Sequence, residues 1–88
     1  MEIPDEMIET LLPAVWEQLE SSETSYVKAC FNRLIEREKL EEQDALELIA
    51  QVLAIVVNEM MVGGRSFDTA RYKNLLKDLP ALPDESPL

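Results

Sequence analysis

The sequence predicts an all-α protein, a compact bundle of four helices around a central apolar helix at about residues 42–62. Two observations favour this class. The 88-residue chain is 47% hydrophobic with only 2 glycines, and its apolar residues recur at intervals of three and four. The segment at residues 41–64 is apolar over most of its circumference, so other helices have to cover it on several sides. We expect a single domain at residues 1–80 and a proline-rich tail at residues 81–88.

The first helix is expected at residues 4–19. Pro4 suits its first turn, where the missing N–H has no partner to lose. Its apolar face is formed by residues spaced at three and four, namely Met7, Ile8, Leu11, Leu12, Val15 and Leu19. Pro13 removes one hydrogen bond and clashes with the preceding turn, so we expect the helix to be kinked or broken there. Trp16 lies beside the apolar face, as a core anchor or as part of an interface.

The second helix is expected at residues 23–38, after Ser22 as its N-cap. Its inward residues are Val27, Cys30, Phe31, Leu34 and Ile35, and its outward ones include Lys28, Arg33, Glu36 and Arg37. The turn that follows has neither glycine nor proline. The single cysteine, Cys30, excludes an internal disulfide, and its apolar neighbours predict a buried, inert thiol.

The third helix is the central one, and its polar stripe is a single thin line. That line consists of Asp44, Glu47, Gln51, Ala54 and Asn58. Its last three members are uncharged, so the second half of the helix is apolar on nearly every side and is where a partner is expected. Gly63 is the expected left-handed C-terminal cap.

The fourth helix is short and has a well-defined start. Asp68 is the expected N-cap, and Phe67 is placed to pack on Tyr72 as a hydrophobic staple. The apolar face consists of Tyr72, Leu75, Leu76 and Leu79, and Pro80 ends the helix. Leu82, in the tail, is a candidate to dock on the body.

The charge of the chain is strongly negative, at −10. Residues 1–25 carry acidic groups and no basic ones, which argues against nucleic acid and anionic membranes as partners. An acidic surface either keeps the protein soluble or attracts a basic partner. The acidic N-terminus is unlike a secretory signal, and the uncharged part of the central helix is shorter than a membrane span needs, so we expect a cytoplasmic protein.

The residue types argue against catalysis. The chain has no histidine, which removes the usual general base and the usual zinc ligand. Its serines have no base to activate them, and Gly63-Gly64-Arg65-Ser66 lacks the glycine spacing and the lysine of a phosphate-binding loop. The Asp-Ser-Leu attachment motif of acyl carrier proteins is also absent. We therefore expect no enzyme activity, no cofactor and no metal.

One stretch, at residues 42–80, resembles a group of small uncharacterised bacterial helical proteins. The likeness rests on Ala45-Leu46-x-Leu48-Ile49-Ala50-x-Val52-Leu53, a polar Asn58-Glu59, a glycine break, and Phe67-Asp68-x-x-x-x-Tyr72-x-x-x-Leu76-x-x-Leu79-Pro80. That group is expected to have a further acidic residue near the middle of the central helix, where this chain has Val56-Val57. It is also expected to have Gly-x-Ser before that helix, where this chain has Lys39-Leu40-Glu41. The resemblance implies a bacterial origin and a helical fold, and it implies no activity.

The leading functional hypothesis is a non-enzymatic interaction or structural module, expected to form a homodimer through apolar helix surfaces. The candidate interface consists of Leu12, Trp16, Val56, Val57, Met60 and Met61. One alternative is a binding module with an apolar pocket for an acyl-type ligand, formed by Trp16, Phe31 and the methionines. Another is an accessory subunit whose acidic first helix docks a basic protein, in which case salt weakens the association.

Overall fold

A computed structural model describes residues 4–82 of the chain. In this range the chain folds into four α-helices and no β-strand: α1 (Asp5–Glu20), α2 (Ser25–Glu36), α3 (Glu42–Gly63) and α4 (Thr69–Asp78). A short 3₁₀ turn (Ser22–Thr24) joins α1 to α2. The predicted all-α bundle is confirmed.

Helix α3 is the centre of the bundle, because each of the other three helices packs against it. It contributes nine of the buried residues: Ala45, Leu46, Ile49, Ala50, Val52, Leu53, Ala54, Ile55 and Val56. Its 22 residues give a length of about 33 Å at 1.5 Å per residue, close to the longest dimension of the molecule, 34 Å. One helix therefore runs the whole length of the core.

Helix α1 continues through Pro13 as one helix of 16 residues, so the predicted alternative of a break is wrong. Pro13 is exposed, and the carbonyl group that loses its partner belongs to Glu9, which is also exposed and can bind water. Val15 is fully buried on the opposite side, and the other apolar residues of α1 pack against the core. The loss of one solvent-facing hydrogen bond is therefore too small to divide a helix held by its buried face.

Two details at the ends of α2 differ from the expectation. The residue that caps the 3₁₀ turn is Ser21 and not Ser22, because the Ser21 hydroxyl oxygen accepts a hydrogen bond from the Glu23 N–H at 3.2 Å. At the other end, α2 stops at Glu36 and the chain reverses through Lys39, which has a left-handed backbone with φ of 61°. A lysine thus occupies a position at which glycine is usual.

The turn after α3 uses the second glycine of the pair. Gly64 has the left-handed conformation, with φ of 63°, whereas Gly63 is the last residue of the helix. The Met60 carbonyl oxygen accepts from the N–H groups of both Gly64 and Arg65. The expected glycine cap is therefore present, one residue later than Gly63.

The start of α4 agrees with the sequence prediction. The Asp68 carboxylate accepts a hydrogen bond from the Arg71 N–H at 3.0 Å, which confirms Asp68 as the N-cap. The Phe67 and Tyr72 rings meet edge to face at 5.5 Å between centroids, as expected for a hydrophobic staple. Beyond this helix Leu79 is buried but Leu82 is 42% exposed, and residues 83–88 of the expected tail lie outside the described residues.

The polar line expected along α3 is interrupted at Ala54. Its side chain is fully buried, so the surrounding helices cover α3 at this position as well. Asp44 is exposed, while Glu47, Gln51 and Asn58 are half-buried. Residues 52–56 of α3 are thus all buried, and the exposed residues of the helix lie near its two ends.

Candidate interaction surface

Two side-chain contacts place the C-terminal ends of α1 and α3 at the same end of the bundle. The Tyr72 hydroxyl donates a hydrogen bond to the Gln18 side-chain oxygen at 2.6 Å. The adjacent Arg71 donates two hydrogen bonds to the Glu59 carboxylate, at 2.9 and 3.1 Å. The start of α4 therefore contacts the last turns of both helices. We call this part of the molecule the distal end.

The largest exposed apolar side chains are concentrated at the distal end. Within residues 4–82 the exposed large hydrophobic residues are Trp16, Met61, Val62 and Leu82. Trp16 is 48% exposed, Met61 70% and Val62 80%, and all three lie within three residues of Gln18 or Glu59. In the last turn of α3 Met60 is half-buried, and Met61, Val62 and Gly63 are exposed. Single exposed apolar residues are ordinary, but because three large ones lie at one end, we take this end as the candidate interaction surface.

The candidate interface residues separate into two groups in the structure. Trp16 and Met61 are exposed, and Leu12, Val57 and Met60 are half-buried at the edge of the core. Val56 is only 1% exposed and belongs to the core, so its place in the interface is a correction. The reason is helical phase: Val56 lies one turn after Val52, which is fully buried, and therefore faces the same way. Val62, which the sequence prediction left out, takes its place on the surface.

A depression of about 360 Å³ lies beside this surface, at the turn between α3 and α4. Its wall includes the apolar Met60 and Val62 together with the polar Arg65, Ser66 and Asp68. An apolar wall with polar groups on one side can accept a protruding side chain from another molecule. The depression therefore extends the contact area available at the distal end.

Arg33 has a structural role that the sequence prediction missed. It was expected to face water, but its guanidinium donates to the carbonyl oxygens of Leu76 at 2.8 Å and Leu79 at 2.7 Å. These carbonyls belong to the last turn and C-cap of α4, where helix carbonyls have few backbone partners; that of Leu76 also accepts from the Leu79 N–H at 3.2 Å. A cation at this end also opposes the negative end of the helix dipole. A long-range contact of this kind leaves no local sequence signal.

Cys30 lies beside Arg33 and is 6% exposed, which confirms that the thiol is buried. Burial raises its pKa above the ordinary 9.0, and the neighbouring Arg33 charge opposes that rise in part. The thiol donates a weak hydrogen bond to the Leu76 carbonyl oxygen at 3.5 Å. Burial also raises the pKa of Tyr72 well above 10.0. Both groups therefore keep their protons at neutral pH.

A second depression, of about 300 Å³, lies between α2 and α4, and none of the exposed apolar residues of the distal end lines it. We call it the α2–α4 cleft; its walls are formed by Tyr26, Ala29, Cys30, Arg33, Lys73, Leu76 and Lys77. The Lys73 ammonium lies over the Tyr26 ring at 4.8 Å from its centroid. This cleft is lined by three cations and no carboxylate, in a chain whose charge is −10.

The acidic residues do not converge on a site in the described part of the chain. No charged residue of residues 4–82 is buried, and no group of three histidine, cysteine or acidic residues in this range has a metal-binding arrangement. Neither of these two depressions is lined by Trp16 or Phe31, and the first includes Met60 in its wall.

The fold and its surfaces define a small all-α bundle with one apolar end. The chain matches no family model, no curated protein and no solved structure. The resemblance to small bacterial helical proteins therefore stays a prediction.

Proposed function

We propose that the protein is a non-enzymatic interaction module that forms a homodimer through its distal end. The observation that carries this proposal is the exposure of Trp16, Met61 and Val62 at one end of a bundle whose core is otherwise closed. A twofold contact uses the same surface of both copies, so each of these three side chains is buried in both copies, six side chains in all. The half-buried Leu12, Val57 and Met60 then form the edge of the contact.

The energetics favour a weak dimer. Complete burial of one large apolar side chain stabilises by about 1.5–3 kcal/mol, and these three are already partly covered. Six such side chains in a twofold dimer give roughly 6–10 kcal/mol before the entropic cost of association, which is about 4 kcal/mol or more. The difference is at most about 2–6 kcal/mol, so we expect a dissociation constant of about 0.1 mM or weaker.

Salt distinguishes this proposal from docking of a basic partner. Glu17 and Glu20 follow Trp16 on α1 and are exposed. Two copies that meet at the distal end therefore bring like charges together. Screening of this repulsion strengthens an apolar dimer as salt rises. An accessory subunit that binds a basic protein through the acids of α1 behaves in the opposite way, because salt screens the attraction.

The environment of α3 also bears on where the protein acts. By length and composition α3 is apolar enough to cross a membrane, although half of its most apolar window is buried inside the bundle. A core helix with nine residues covered by its own chain explains that composition without a bilayer. The basic groups needed to attract nucleic acid or anionic lipid are outnumbered, 8 against 18 acids. We propose a cytoplasmic protein with neither as a partner.

The fluorescence of Trp16 tests the proposal, because it is the one tryptophan of the chain. As protein concentration rises, we expect its emission to shift to shorter wavelength and quenching by acrylamide to fall. Met61→Glu places a charge within the proposed contact and is expected to remove both changes. Leu82→Glu is the matched control, since Leu82 is exposed but lies beyond the opposite, C-terminal end of α4. Equal behaviour of the two variants contradicts the proposal.

A further inference from the structure

The α2–α4 cleft combines an apolar floor with a cationic rim. Ala29, Cys30 and Leu76 supply the floor, and the Tyr26 ring closes one side. The rim carries Lys73 and Lys77, which are four residues apart and therefore lie on the same face of α4. This arrangement is independent of the distal apolar residues, none of which lines the cleft.

We propose that the α2–α4 cleft binds the carboxylate of a short acyl chain, with the chain on the apolar floor and the carboxylate between Lys73 and Lys77. Both lysines are exposed, and in the described part of the chain neither has a carboxylate partner within salt-bridge distance. An anionic head group supplies the missing partner. The proposal goes beyond the proposed function and does not rest on it.

Arg33 forms part of the wall of the cleft, but its guanidinium is held in place and does not reorient toward a ligand. Both terminal nitrogens of its guanidinium are held by the carbonyl oxygens of Leu76 and Leu79. Its positive charge therefore stays fixed beside the floor and adds to the attraction for an anion. The lysines have flexible stems and three donors each, so they make the direct contacts with the carboxylate.

The size of the cleft limits the acyl chain. Ligand cavities commonly measure about 300–1,000 Å³, and at about 300 Å³ this cleft is at the small end. Each fully buried methylene contributes about 0.8 kcal/mol, which corresponds to a roughly fourfold gain in affinity. We expect the affinity to rise from butanoate to hexanoate to octanoate, and to level off once the chain extends beyond the floor.

Titration of the full-length protein with octanoate, followed by nuclear magnetic resonance, tests the proposal. Saturable shifts in the amide signals of Tyr26, Ala29, Leu76 and Lys77 are expected. Octylamine, which has the same tail with the opposite charge, is expected to bind at least about tenfold more weakly. No saturation up to millimolar octanoate, or equal binding of octylamine, overturns the proposal.

A matched pair of double variants separates the cleft from general charge effects. Lys73→Glu with Lys77→Glu reverses the rim and is expected to weaken octanoate binding at least about tenfold. Lys28→Glu with Arg37→Glu changes the net charge equally at exposed positions outside the cleft, and is expected to change it less than about twofold. Equal losses in both double variants overturn the proposal.

The variant Met61→Glu separates this proposal from the proposed homodimer. The same octanoate titration is expected to give the same affinity in the wild type and in Met61→Glu, because Met61 does not line the cleft. Octanoate binding that is lost in Met61→Glu, together with self-association, contradicts a site in the α2–α4 cleft.

Discussion

Arg33 of α2 donates a hydrogen bond at 2.7 Å to the carbonyl oxygen of Leu79, 46 residues later in the chain. The same guanidinium also binds the Leu76 carbonyl oxygen, so one side chain closes the end of α4. Helix α4 has only 10 residues, a length at which a helix depends on tertiary contacts, so its end depends on such support.

Arg33→Met is expected to lower the free energy of unfolding by about 2–3 kcal/mol. The substitution keeps much of the stem but leaves two helix-end carbonyls without their charged donor. Urea unfolding measures the loss, and Arg37→Met is the control because Arg37 is exposed and is expected to change stability by less than about 0.5 kcal/mol. A loss at Arg33 no larger than at Arg37 shows that the helix end does not need this contact.

Lys39→Gly is expected to stabilise the protein by about 0.5–1 kcal/mol. Lys39 has φ of 61°, a backbone conformation that costs a side-chain-bearing residue about 1–2 kcal/mol, and glycine adopts it freely. The added freedom of glycine in the unfolded chain removes part of that gain. A rise in the melting temperature checks the prediction, with Lys28→Ala on the face of α2 as a control for loss of the charge. An unchanged or lower melting temperature contradicts it.

Stability is expected to fall as the pH rises above about 9. Burial raises the pKa of Cys30 above 9.0 and that of Tyr72 above 10.0, so the folded protein keeps protons that the unfolded chain releases. Their contribution is fully present below the unfolded pKa values and is lost as the pH rises toward the folded ones. Urea unfolding at pH 7 and at about pH 10.5 measures the fall, and Tyr72→Phe is expected to show a smaller one. An equal fall in both proteins excludes Tyr72 as a cause.

Val56→Ala and Val62→Ala are expected to differ by about 2 kcal/mol in the free energy of unfolding. Val56 is 1% exposed and its truncation leaves a cavity in the core, whereas Val62 is 80% exposed and loses almost no contacts. Thermal unfolding of the two variants under identical conditions measures the difference. Similar melting temperatures contradict the assignment of Val56 to the core.

The parts of the fold that were predictable from sequence are those with local causes. Asp68 as a cap and the Phe67–Tyr72 contact follow from residues within one or two turns of each other, and both are confirmed. The apolar excess of α3 likewise identifies the central helix, since a helix without a polar face must be covered. Boundaries such as the end of α2 at Glu36 shift by one or two residues because no glycine marks the turn.

The candidate surface was predictable only in part, because it depends on how far each helix covers its neighbour. Trp16 and Met61 lie on the surface as hypothesised, but Val56 does not, and the apolar composition of α3 contains no sign of which side stays open. The sequence predicts a solvent-exposed Arg33, because the Leu76 and Leu79 carbonyls that it binds are more than 40 residues away in the chain. The α2–α4 cleft arises from the same long-range packing.

Sedimentation equilibrium of the wild-type protein, from about 10 µM to about 1 mM, tests the central claim of self-association most directly. We expect the apparent mass to rise from 10.0 kDa toward twice that value across the range, and to rise more steeply in higher salt. A constant mass of 10.0 kDa at every concentration and salt level contradicts the proposed homodimer.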